Sequence, residues 1–106
     1  MPILDPNQNH FISLDDACEL TSRYRNSTQF NGLNGGFFGK TAIQDILDQQ
    51  DCAGIRYYYG LDAQNTPVMV IVGVTEDNID IADGELAELS VPCPNLCDDT
   101  SPLTGN

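Results

Sequence analysis

Two cysteines, in Cys93-Pro94-Asn95-Leu96-Cys97, form the most distinctive chemical group of the chain. Such a pair can close a local disulfide, serve redox exchange, or supply half of a metal site. Its three intervening residues differ from the two of thioredoxin-type motifs, and no βαβ pattern surrounds it. Structural zinc needs four ligands; beyond this pair the sequence offers Cys18, Cys52 and His10, none with paired spacing. The acidic tail raises thiol pKa values, which weighs against a strong nucleophile. A local disulfide, a redox or metal role for Cys93 and Cys97, and two inert thiols in a proline-fixed turn stay open.

The basic residues suggest a second chemistry. Arg23 and Arg25 flank Tyr24, and Arg56 opens Tyr57-Tyr58-Tyr59. Guanidinium groups stack on aromatic rings. Arg25, Arg56, Tyr57 and Tyr59 could therefore frame a small anion site, which requires Arg25 and Arg56 to be close in space. The alternative is that these arginines pair with nearby carboxylates.

Other sites fail on spacing. Gly35-Gly36-Phe37-Phe38-Gly39-Lys40-Thr41 ends like a phosphate-binding loop, but only three residues separate Gly35 from Gly39 where four are needed. In the acidic stretch 76–88, placing Gly84 at the sixth position of a calcium loop puts Ile79 and Ile81 where oxygen ligands belong. Weak calcium binding of another kind stays open there. His10 is the sole histidine and lies among Asn and Gln, so no catalytic set is assigned. The expectation is a non-enzyme with no cofactor.

Charge narrows the partners. The net charge is −12, with nine acidic and no basic residues in 61–106. Four basic side chains cannot make the stripe that phosphates require, and an anionic membrane surface repels this chain. No apolar run nears the roughly 20 residues of a membrane span, and the start shows no secretory pattern. Absent an export signal, four cysteines suit reduced thiols in a cytoplasm.

The elements that must position these residues follow from hydrophobic rhythm. Residues 1–11 read as an irregular lead-in. Ser13 is an N-cap for a helix over 14–27, with Leu14, Ala17, Cys18, Thr21 and Tyr24 on one face. Residues 31–36 read as a loop, followed by Phe37 and Phe38 tucked under a sheet. A second helix starts at Thr41, capped by its hydroxyl with Gln44 reaching back, and stops by Gly54. Its apolar face is Ala42, Ile43, Ile46 and Leu47. The period then changes to 2. A strand over 55–61 puts Ile55, Tyr57 and Tyr59 on one face, and the run 68–75 is apolar enough to be buried on both. Together they make a hairpin. A third strand over 85–91 covers a free edge, and 98–106 is a loose tail.

The order of landmarks also resembles a known group. Tyr24-Arg25, Ile46-Leu47, Cys52-Ala53-Gly54-Ile55-Arg56-Tyr57-Tyr58, Val70-Ile71-Val72-Gly73-Val74 and the closing Cys93-Pro94-Asn95-Leu96-Cys97 are similar to short bacterial proteins of the Bacteroidota type that end in Cys-Pro-x-x-Cys. The resemblance covers about residues 12–97. It implies a bacterial intracellular protein, and no activity, cofactor or catalytic residue.

The reading is a single α+β domain over 1–106, with two N-terminal helices packed on a small antiparallel sheet. The function expected is a small acidic interaction module that binds a basic protein or associates with itself as a homodimer. A thiol-redox or metal protein and a small anion binder are the alternatives.

Overall fold

The computed structural model describes residues 3–88 and 91–105, without the side chain of Val91. The elements in chain order are α1 (Leu14–Arg25), β1 (Gly35–Phe37), α2 (Lys40–Leu47), β2 (Cys52–Leu61), β3 (Pro67–Thr75), β4 (Leu86–Glu88), β5 (Val91–Cys93) and a 3-10 helix (Pro102–Thr104). The fold is α+β with antiparallel sheets. The chain divides into two compact units: residues 1–8 with 38–89, and residues 9–37 with 90–106.

The first unit holds α2 and the three-stranded sheet, in the order β2-β3-β4. Its core is Ile46, Ile71, Val72 and Val74, each no more than 5% exposed. Ile71 and Val72 point to opposite faces of β3, so this strand is buried on both, as its unbroken apolar run predicts. Residues 62–66 close the hairpin: Asp62 Oδ1 accepts from the N–H of Gln64 at 2.8 Å and of Thr66 at 2.9 Å. The Asp62 N–H donates to the Thr66 carbonyl at 3.0 Å.

Helix α2 starts and stops earlier than the sequence suggests. Gly39, in an extended conformation, is its N-cap, and neither Thr41 nor Gln44 caps. Gln44 Nε2 instead donates to Asp48 Oδ1 at 2.9 Å. The helix ends at Leu47, and Gly54 lies inside β2 beside a bulge. Asp51, with φ 65°, turns the chain into β2. Gln49 then pins the turn after Ile81 to the helix end. Its Nε2 donates to the Ile46 carbonyl at 2.9 Å, and its Oε1 accepts the Glu85 N–H at 2.8 Å.

The second unit contains α1, the β1–β5 ribbon and the 3-10 helix. Ser13 caps α1 as expected, its Oγ accepting the Asp16 N–H at 3.0 Å. The apolar face assigned to α1 is only half-buried: Ala17, Cys18 and Thr21 are partly covered, Leu14 and Tyr24 are exposed, and no residue of this helix is fully buried. The helix packs on the 3-10 helix, where Arg25 Nη1 donates to the Leu103 carbonyl at 2.7 Å.

Three further expectations change. Gly35 and Gly36, within the expected loop 31–36, pair antiparallel with β5 together with Phe37. Phe37 is exposed rather than tucked beneath a sheet. The tail is ordered through Gly105, because Thr104 Oγ1 donates to the Asp98 carbonyl at 3.0 Å and Ser101 caps the 3-10 helix. The third strand exists but is shorter, pairing Leu86–Glu88 with Val70–Val72. Leu89 and Ser90, toward the end of the segment 85–91 expected as strand, lie outside the described residues.

Candidate functional site

The hairpin of the first unit carries the aromatic residues that the sequence singled out. Alternation along β2 sorts them by face. Arg56 and Tyr58 share one face with Val70, Val72 and Val74 of β3, while Ile55, Tyr57, Tyr59 and Leu61 share the other.

On the first face the guanidinium of Arg56 is engaged through both of its terminal nitrogens. Its Nη1 donates to Asp80 Oδ1 at 2.9 Å, and its Nη2 donates to Asn78 Oδ1. The Tyr58 hydroxyl donates to the other oxygen of Asp80. Donation to this carboxylate pushes the Tyr58 phenol above its ordinary range, and the neighbouring Arg56 pulls partly back. Asp80 reaches the pair because the acidic turn folds back on β3. The Thr75 N–H donates to the Ile79 carbonyl at 2.9 Å, and the Ile81 N–H donates to the Gly73 carbonyl at 2.8 Å. The stretch thus brings one carboxylate inward onto an arginine. Among the described residues no three His, Cys, Asp or Glu side chains converge to hold a metal ion.

The second face is covered only at one end. Gly73, opposite Ile55, lies against Gln49 and Cys52 near the end of α2. Beyond it, Tyr57, Tyr59 and Leu61 stand 54%, 83% and 66% exposed. The two tyrosine rings meet edge to face with centroids 5.7 Å apart. Tyr57 also holds the Tyr59 phenol above its ordinary range.

Within the hairpin, the tyrosines of the expected anion site are separated from Arg56. Tyr57 and Tyr59 lie on the face opposite Arg56, whose charge Asp80 already meets. Arg25 belongs to the second unit. There it lines a cavity of about 240 Å³ with Leu20, Thr21, Tyr24, Asn34 and Leu103. Cys93 and Cys97 are joined as a disulfide with Cα atoms 4.8 Å apart, at the end of β5, whereas Cys18 and Cys52 are free.

Sequence reasoning missed Tyr58, Asn78 and Asp80. The period of 2 already places Tyr58 beside Arg56, so that signal was present. Asp80 lies 24 residues from Arg56, beyond the reach of any local pattern. No protein-family model, curated protein or solved structure matches this chain. No helix among the described residues is long and apolar enough to cross a membrane.

Proposed function

We propose that this chain is a small acidic, non-catalytic interaction module that binds a basic protein partner. The observation that carries the reading is unburied apolar surface on an ordered sheet. Tyr57, Tyr59 and Leu61 form a contiguous exposed row on a hairpin whose other strand contains most of the core. Exposed aromatic patches on ordered scaffolds favour recognition of other proteins. A net charge of −12 favours a basic partner and disfavours nucleic acid and anionic membranes.

The reading places the protein in a bacterial cytoplasm, although the joined Cys93–Cys97 pair departs from the reduced thiols expected there. The joined pair also supports a second reading, a thiol-redox protein. Thiol titration of protein purified without reductant separates the two. A disulfide that cycles under physiological thiol concentrations favours redox chemistry, and an inert pair favours the interaction module.

Capture of partners by the immobilised full-length chain, at low and then high salt, tests the main reading. The expected result is a basic protein retained at low salt, released at high salt, and lost with Tyr57→Ser/Tyr59→Ser. Absence of any salt-sensitive partner sensitive to that double substitution overturns it.

A further inference from the structure

We propose that the free edge of β2 takes up an extended strand from a basic partner, with Lys or Arg flanking an alternating apolar centre. The inference rests on the interaction-module reading and specifies how the partner docks.

In the order β2-β3-β4, strand β2 is hydrogen-bonded on one side. Backbone bonds on the far side of β3 fix which groups point where. The Gly73 carbonyl and the Thr75 N–H are used by Ile81 and Ile79, away from β2. Even-numbered residues of β3 therefore face β2, and their partners Arg56, Tyr58 and Gly60 face back. The hairpin closure at Asp62 and Thr66 has the same phase. The N–H and C=O groups of Ile55, Tyr57, Tyr59 and Leu61 consequently point outward, and none has a hydrogen-bond partner among the described residues. Three of them, Tyr57, Tyr59 and Leu61, are the residues whose side chains form the exposed row.

Edge strands are ordinarily blunted by lysine, proline, bulges or a covering segment. From Ile55 to Leu61 there is no Lys and no Pro, and the bulge lies earlier, between Cys52 and Gly54. The one charge, Arg56, is folded back onto Asp80. By contrast, the opposite side of β3 is covered by β4 and by the Val74–Asp80 bridge. An added strand would gain backbone bonds along the edge and rest alternate side chains on the tyrosine row, the two parts of β-augmentation.

Charge selects the occupant. The first unit holds eleven carboxylates against Lys40 and Arg56, and Asp51 and Asp62 bracket the edge. A second copy could pair edge to edge about Tyr58, but it would bring two such acidic units together. A segment with basic ends and an apolar middle meets both the charge and the row.

The test uses the isotope-labelled full-length chain and a synthetic probe, Lys-Arg-Val-Thr-Val-Thr-Val-Lys-Arg. The expected result is alternating protection: amide exchange at Ile55, Tyr57, Tyr59 and Leu61 slows about tenfold or more, while Arg56 and Tyr58 stay as they were. The Glu-flanked version of the probe should bind about tenfold more weakly at low salt. Tyr59→Pro removes one outward N–H without touching the β3 ladder and should abolish the protection. Should that variant fail to fold, Tyr59→Lys keeps the N–H but replaces a ring of the row with a positive charge facing the basic probe, and should weaken the protection.

Uniform protection of odd and even amides, or undiminished binding to the folded variant, overturns the inference. So does a free chain that is already a dimer with protected odd amides. If the capture experiment yields its salt-sensitive partner but Tyr59→Pro still binds it, the module reading stands and the edge inference falls. If neither partner nor probe binds, both fall.

Discussion

The two units of this chain are held together by different forces. The first contains all four side chains that are buried among the described residues, on α2 and β3, and a hairpin with nine residues of β3 paired to β2. The second has no buried residue in its long helix, and its ribbon pairs strands of three residues each. Its order comes from local devices: the Ser13 cap, the Arg25 bond to Leu103, the Ser101 cap and the disulfide. Burial makes a cooperative unit, whereas a two-stranded ribbon and caps are marginal in water. On the proposed reading, the recognition surface lies on the firm sheet, where order would be independent of the partner.

The contrast is most sharply broken or confirmed in the core. Ile46, 1% exposed, should cost about 3 kcal/mol when changed to Ala. Leu14→Ala in α1 should stay within about 0.5 kcal/mol. Equilibrium denaturation of both variants gives the difference, and equal effects would remove the distinction between the units. Next in size is the disulfide. Cys93→Ser opens a loop closed across a sequence separation of 4 and should cost no more than about 2 kcal/mol on chain-entropy grounds. Its amide-exchange changes should fall in the second unit; spread through β2 and β3 would show one cooperative whole.

The smallest effect is pH. Thr100 donates to Asp98 through its hydroxyl at 2.6 Å and its N–H at 3.0 Å, holding that carboxyl below its usual range. Because the folded pKa is depressed, this contribution is present above the unfolded value and lost as pH falls through the folded one. Tyr58 is the opposite case: its raised pKa gives a contribution present below the ordinary tyrosine value and lost as pH rises through the folded one. Acid should therefore loosen the Asp98 turn in the second unit, and alkali the Tyr58–Asp80 contact in the first. Residue-resolved chemical shifts across a pH titration check the pairing, and Asp80→Asn should bring Tyr58 back toward its ordinary range.

What was legible in the sequence divides along the same line. The change of period near Gly54 located α2 and the hairpin, and the apolar run at 68–75 identified the strand buried on both faces. Those elements obey rules with one strong periodic signal. The second unit lacks that signal. Gly35–Phe37 looks like loop because glycine carries no hydrophobic pattern, and its partner strand lies at Val91–Cys93, far along the chain. The spacing of α1 promised a buried face, and Ala17, Cys18 and Thr21 on it are half-buried; periodicity reports amphipathicity and not the depth of burial. At the candidate site, the tyrosines and Arg56 were named from composition, but Asp80 and the free edge depend on register.

Native-state hydrogen exchange on the free chain tests the central claim most directly. The account predicts slow exchange for the Arg56 and Tyr58 amides, bonded to β3, and fast exchange for those of Ile55, Tyr57 and Tyr59. If the latter three exchange as slowly as their neighbours, the edge of β2 is already covered and the account is contradicted.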